Sequence, residues 1–202
     1  MNITWHGQTC FKIGTQKNKG GAVNILIDLF DKEVGLKPPK NDSDIFISSV
    51  SGGKNDSPSA FLINGPGEYD ISGVSVQGIA NKNNTIYKIE AEDIKICHLG
   101  VLDNSGLSTS QIEEIGDIDI LMLPVGDQKS LDAKSAIKIM SEIEPKITIP
   151  MYYKVPGLKE KLDSIDVFLK ALGIKSLKAE QKLSLKKKDI PSEEAKIVIL
   201  EP

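Results

Sequence analysis

The chain contains no arginine: all 25 of its basic residues are lysine. Bidentate clamps on phosphate or guanine are therefore outside its repertoire. With a net charge of −3, the balance gives no reason to expect nucleic acid or an anionic membrane as a partner. An AT-rich coding sequence accounts for the bias, because Asn and Ile are abundant too. Cysteine occurs only at Cys10 and Cys97, too few for a disulfide framework or a Cys-rich zinc site. Both lie in apolar, strand-like stretches, where a free cysteine behaves as a small hydrophobe. No apolar run approaches the length of a membrane span, and Met1 to Trp5 reads as a strand and not as a leader. The expected location is the cytoplasm. Histidine is as scarce as cysteine, with His6 and His98 the only two.

What remains is ordinary for a globular chain: 202 residues, 40% hydrophobic and 26% charged. The expectation is a single domain over residues 1–202. A domain of this size buries about 70% of the surface its unfolded chain exposes and needs no staples.

The first half is a series of short apolar runs. Ile3 to Trp5, Phe11 to Ile13, Asn24 to Asp28, Ile45 to Ser48, Ala60 to Ile63, Val74 to Ile79, Thr85 to Ile89 and Ile94 to His98 read as strands. Gly20-Gly21, Gly65-Pro66-Gly67 and Glu92-Asp93 supply turns. The second half alternates. Ser108 to Ile115 is a short helix with Gly116 past its end, and Ile120 to Leu123 is a continuous apolar run, as in a strand covered on both faces. Asp132 caps a helix whose predicted apolar face is Ala133, Ala136, Ile137, Met140 and Ile143. Pro145 stops it before a strand at Ile147 to Ile149. Ile165, Phe168, Leu169 and Leu172 repeat the helical spacing, and Leu183 to Leu185 and Ile197 to Leu200 are terminal strands. Lys186-Lys187-Lys188 reads as a solvated turn. Strands first and strand–helix units later suit a layered α+β domain.

Several segments, in order, resemble the metallo-β-lactamase superfamily, in particular the branch similar to L-ascorbate-6-phosphate lactonase. They are Ile3 to Phe11, Ile25-Leu26-Ile27-Asp28-Leu29-Phe30, and Gly65-Pro66-Gly67-Glu68-Tyr69-Asp70-Ile71, which is similar to "GPGEYEI". His98-Leu99-Gly100 follows, similar to "HLGD", then Ile120 to Gly126 and Ile149-Pro150-Met151-Tyr152-Tyr153, similar to "IPMHY". The resemblance runs from about residue 3 to about residue 173. It implies a four-layer αβ/βα sandwich, two metal ions and hydrolysis by a metal-bound water, and it suggests a homo-oligomer.

The metal-binding residues are missing. Such a centre needs imidazoles and carboxylates converging at about 2.0–2.2 Å, and it lowers the pKa of a bound water to about 7. The superfamily's His-x-His-x-Asp-His, laid after Asp44-Ile45-Phe46-Ile47, meets Val50, Gly52, Lys54 and Asn55. Valine and glycine offer no donor atom, and lysine brings a positive charge where a dication should sit. Val101 stands where "HLGD" has its aspartate, and Tyr152 where "PMHY" has its histidine. Ala80 to Asn84 contains no histidine, and an earlier histidine is replaced by Gln8. No realignment recovers residues that the chain does not contain.

The remaining candidates are fewer. His98 ends a strand and is expected to support the loop beneath the old site; His6 is expected to be a partly exposed hairpin residue. Asp28, His98 and Asp127 are the candidate cleft residues, with Asp28 expected to pin loops by hydrogen bonds. The Tyr152 hydroxyl is expected to reach Asp28 or a loop backbone group. Asp28, Glu68, Asp103 and Asp127 are an alternative oxygen-ligand set for Mg²⁺ or Ca²⁺, and Lys54, Asn55 and Lys82 an alternative anion site. Ser-x-x-Lys at Ser51–Lys54, Ser135–Lys138 and Ser184–Lys187 matches chance for 18 Ser and 25 Lys. The reading is a metallo-β-lactamase-like protein without cofactor, acting as a non-catalytic binding or scaffold protein for an unidentified ligand or protein partner. The competing reading is a divergent hydrolase using the same cleft.

Overall fold

The structure is a computed structural model that describes residues 1–16, 20–50 and 59–202. The first main sheet contains β1 (Asn2–Trp5), β2 (Phe11–Gln16), β3 (Ala22–Ile27), β4 (Ile45–Ile47) and β5 (Phe61–Ile63). The second contains β6 (Gly67–Ile71), β7 (Val74–Ala80), β8 (Thr85–Ala91), β9 (Ile94–His98), β10 (Ile120–Pro124) and β11 (Ile147–Met151). The helices are α1 (Thr109–Ile115), α2 (Ala133–Ile143) and α3 (Ile165–Ala171). The short strands β12 (Ala179–Glu180), β13 (Leu183–Ser184), β14 (Lys196–Ile197) and β15 (Ile199–Leu200) end the chain.

Strand order is β13-β1-β2-β3-β4-β5 in the first sheet and β14-β11-β10-β9-β8-β7-β6 in the second, with β12 and β15 paired separately. β1 to β3 run antiparallel, and β3, β4 and β5 run parallel. In the second sheet β6 to β9 are antiparallel, and β9, β10, β11 and β14 are parallel. The two sheets share one apolar core that includes Ile25, Ile45 and Ile47 from the first and Val76, Ile96 and Met122 from the second. This mixed α+β architecture with two sheets is the one expected. Alternation shows which faces are covered. In β3, Val23, Ile25 and Ile27 point into the shared core, whereas Leu26 joins Cys10 and Phe46 in a second cluster under Leu29 and Phe30. All five residues of β10 are buried, because its other face lies under α2.

Some boundaries differ from expectation. Gly67 opens β6 instead of ending a turn. Its residues sit on a sheet edge, exposed or half-buried, so no burial alternation marks the strand. Ile197 to Leu200 splits into β14 and β15, which pair with different partners. The buried stripe of α2 is Ala136, Ile139 and Ile143, while Ala133, Ile137 and Met140 are half-buried at its margins. Lys187 does not stand free: its ammonium lies 2.8 Å from Asp119. The capping expectations agree, with Ser108 accepting from the Gln111 amide and Asp132 from the Ser135 amide.

Candidate functional site

Five loops leave the C-terminal ends of β3, β4, β9, β10 and β11, the end of a parallel array where α/β sheets place their ligand sites. Asp28, Val50, Val101, Asp127 and Tyr152 lie in these loops. Gly52, Lys54 and Asn55 lie outside the described residues. The backbone here is unusual. Asp28, Asp127, Gln128 and Tyr152 all have φ between 51° and 59°. This left-handed region costs a non-glycine residue about 1–2 kcal/mol, so the surrounding contacts must hold it.

The floor of the cleft is closed by its own hydrogen bonds. Asp28 is 9% exposed. It accepts from the Ser49 amide at 2.6 Å through Oδ1 and from the Ser49 hydroxyl at 2.7 Å through Oδ2. His98 is fully buried and edge-on to Phe11. Its Nε2 lies 2.9 Å from the Thr9 carbonyl and must donate, while its Nδ1 accepts from the Gly100 amide at 3.3 Å. These two bonds assign the neutral Nε2–H tautomer. Burial pushes the imidazolium pKa down, against the opposing pull of Asp28 3.9 Å away and of the Thr9 carbonyl. Both ring nitrogens are committed, so His98 cannot also ligate a metal. Asn84, which directly precedes β8, donates to the Leu99 carbonyl at 2.7 Å and accepts from Asn81 at 2.7 Å.

Tyr152 is 5% exposed. The expectation that its hydroxyl reaches Asp28 or a loop backbone group does not hold. The hydroxyl donates to Glu160 Oε1 at 2.9 Å, because the 154–163 segment folds back beside it. Gln8 donates to the other carboxylate oxygen at 3.2 Å, and the Lys129 ammonium lies 3.5 Å from Oε1. Burial, and then the Glu160 carboxylate, push the Tyr152 phenol up out of the physiological range.

Above the floor is a groove of about 660 Å³, lined by Val50, Val101, Asn83, Asp103, Gln128 and Lys129 among others. Val50 is 46% exposed. Asp103 is held by its own loop, accepting from the Ser105 amide and hydroxyl and from Asn83. Asp127 shapes the adjoining turn through its backbone, with its amide on the Leu131 carbonyl and its carbonyl accepting from Ser130. The proposed oxygen-ligand set does not assemble: Glu68 stands on the edge strand β6 beside another groove, apart from Asp28 and Asp103. Among the described residues, no three His, Cys, Asp or Glu side chains are grouped to hold a metal ion. Among the described residues, the donors around this cleft therefore do not fit a dinuclear centre. His6 is half-buried in the first hairpin, its pKa lowered by burial and by Lys12. The cysteines are inert by the same logic, with burial pushing the Cys97 thiol up to about 12.

Ser49, Asn84, Lys129 and Glu160 escaped the sequence reading. Ser49 and Asn84 sit in polar stretches with no motif, and Glu160 meets Tyr152 through a loop with no periodicity.

Comparison with known proteins agrees with this architecture. Residues 2–152 match the family model for a β-lactamase superfamily domain. A solved structure from Thermotoga maritima, described as a candidate zinc-dependent hydrolase of the metallo-β-lactamase superfamily, is 31% identical, with a TM-score of 0.83 over 100% of both chains. A UPF0173 protein of Pyrococcus abyssi is 24% identical over 190 residues, which cover 78% of this chain and 85% of that protein. A UPF0173 metal-dependent hydrolase of Archaeoglobus fulgidus is 33% identical over 92 residues, 46% of this chain and only 38% of the relative's length. With the two sheets, the loops at their C-terminal ends and three-quarters of the sequence all in agreement, the chain belongs to the metallo-β-lactamase superfamily.

Proposed function

We propose that this protein is a metal-free, non-catalytic member of its superfamily that uses the cleft for binding or scaffolding. One observation carries the reading: the polar groups of the cleft floor are already satisfied by the protein itself. Among the described residues, every buried side-chain nitrogen and oxygen has a hydrogen-bond partner. An active site normally keeps donors or acceptors unspent for its substrate or metal. Here Asp28 is engaged by Ser49, His98 by Thr9 and Gly100, and Asn84 by Leu99 and Asn81. Val101 and Tyr152 stand where the family resemblance calls for ligands. The sequence motifs favour descent from the branch similar to L-ascorbate-6-phosphate lactonase, and relatives named as metal-dependent hydrolases support a hydrolytic ancestor. A homo-oligomer in the cytoplasm is the assembly that fits this descent.

The test is metal content and its effect on stability. Protein purified without a tag should contain no stoichiometric zinc, manganese or iron by elemental analysis. A bound ion at 100 times its dissociation constant would add about 2.7 kcal/mol, or roughly 5–11 °C in Tm for a chain of this size. EDTA should leave Tm unchanged. One or two equivalents of bound metal, or a fall in EDTA reversed by one specific ion, would overturn the proposal.

A further inference from the structure

The Glu160 carboxylate sits where three loops meet, and one of the donors around it, Tyr152, stands at a position that the family resemblance assigns to a metal ligand. Gln8 and Tyr152 both stand in place of histidines. In a metal centre, acceptor side chains converge on a cation. Here the polarity is inverted: a phenol, an amide and an ammonium converge on an anion. We propose that Tyr152, Gln8 and Lys129 form a carboxylate cradle that Glu160 occupies, and that this contact latches the 154–163 segment onto the β1–β2 turn and the end of β11.

The geometry gives each carboxylate oxygen a separate task. Oε1 takes the Tyr152 hydroxyl at 2.9 Å, from the end of β11, with Lys129 of the loop after β10 at 3.5 Å. Oε2 takes the Gln8 amide at 3.2 Å, from the β1–β2 turn. The two donors are themselves tied together, because the Tyr152 amide donates to the Gln8 carbonyl at 3.0 Å and the Trp5 indole donates to the same oxygen at 2.9 Å. Both residues are left-handed, Gln8 at φ 53° and Tyr152 at φ 54°. Such backbone persists where several contacts hold it, and this pair is held from both sides. Tyr152 is nearly buried, and its hydroxyl is directed at the carboxylate. The segment that carries Glu160 is anchored elsewhere by the Lys159 amide on Val34 and the Asp163 amide on Gly126, is closed on itself by the Lys154 amide on Asp163, and buries Val155 and Leu162 in the core. The Glu160 side chain, about a quarter exposed, links these anchors to the cleft wall. Charge-assisted bonds are the stronger kind, and they gain from the low dielectric beside a buried ring.

A cradle that recognises a carboxylate should accept one supplied from solution once its own is removed. This separates a cradle from ordinary packing. Hydrogen–deuterium exchange of Glu160→Ala should show the 154–163 amides opening roughly tenfold faster than in the unsubstituted protein, with β9 and β10 unchanged. Sodium formate or acetate should restore the slow exchange saturably, and sodium chloride at equal ionic strength should not. The double variant Glu160→Ala, Tyr152→Phe should lose the rescue. Glu160→Gln, which keeps the side chain's shape and an acceptor for one donor, should give an intermediate rate and serves if the alanine variant does not fold. Unchanged exchange in both Glu160 variants, or equal restoration by chloride, would overturn the proposal. The latch builds on the metal-free reading of the cleft, but metal content tests that reading and exchange tests the latch, so either can fail alone.

Discussion

Replacing Asp28 by asparagine separates a carboxylate that holds the fold from one retained for chemistry. The substitution keeps the size and suits the left-handed backbone, since asparagine tolerates φ 51° as readily as aspartate does. What changes is the pair of bonds to Ser49. The asparagine oxygen can still accept from the Ser49 amide, now at 2.6 Å. The asparagine NH₂ then faces the Ser49 hydroxyl, now at 2.7 Å, which must turn and find another acceptor. Bonds to a charged group are worth about 1.5–3 kcal/mol each and neutral ones about 0.5–1.5. Two downgraded bonds therefore cost about 2 kcal/mol, or roughly 4–8 °C in Tm. Asp28→Ala removes both bonds and adds a left-handed alanine, and should cost about twice as much. Thermal and urea unfolding of both variants, with Ser49→Ala to close a double-mutant cycle, measure this directly. An asparagine variant as stable as the parent, or more so, would refute the reasoning. It would mean that desolvating the carboxylate outweighs its bonds, and an anion kept at a cost in stability marks a functional group.

Two further outcomes follow from the same floor. Gly100→Ala places a Cβ 2.5 Å from Asn84 Nδ2 and 2.8 Å from Ser49 Oγ at φ 60°; the left-handed strain and the crowding together should cost about 2–4 kcal/mol in urea unfolding, and a neutral result would show the floor to be loosely packed. His98 has a pKa below its unfolded value, so the unfolded chain binds the proton first as pH falls. The stability it contributes is complete above about pH 6.5 and is lost progressively as pH drops from there towards the folded pKa, with a slope of up to about 1.4 kcal/mol per pH unit. His98→Asn should flatten that part of the stability–pH curve, and a curve of unchanged shape would show that another group titrates.

Periodicity carried the fold as far as packing is local. β10 reads as buried on both sides because Ile120, Leu121, Met122 and Leu123 leave no polar position, and the structure covers both its faces. The α2 prediction included Ala136 and Ile143 but missed Ile139. Ile137 and Met140 look as apolar as Ile139, and only the neighbours α1, α3 and β10 decide which of them is buried. β6 was invisible for a different reason. An edge strand is stabilised by backbone bonds to β7, and its side chains Glu68 and Asp70 face solvent, so hydrophobic pattern says nothing about it. The two-residue strands at the C-terminus are too short for any period to register.

The site divides along another line. A missing ligand is legible from composition alone, because a chain with two histidines cannot supply the several that such a centre requires, wherever they might be aligned. What takes the ligands' place is a question of three-dimensional proximity, and composition is silent there. Tyr152 could be named in advance as a large residue at a ligand position, but its partner could not. Asp28 was the nearest carboxylate in motif terms, and it is taken by Ser49, a residue adjacent to the cleft but in no motif. Glu160 is one of three charged residues in a row, Lys159-Glu160-Lys161, and nothing local sets it apart. Its position is set by the loop's backbone anchors at Val34 and Gly126, each more than 30 residues away in sequence. A scarcity of histidine therefore leaves a clear mark in a sequence, while the contacts that tie the cleft floor together are long-range and chemically unremarkable. The left-handed backbone at Gln8, Asp28 and Tyr152 connects the two. The turns at Gln8 and Tyr152 aim two donors at the Glu160 carboxylate, and the turn at Asp28 aims its own carboxylate at Ser49.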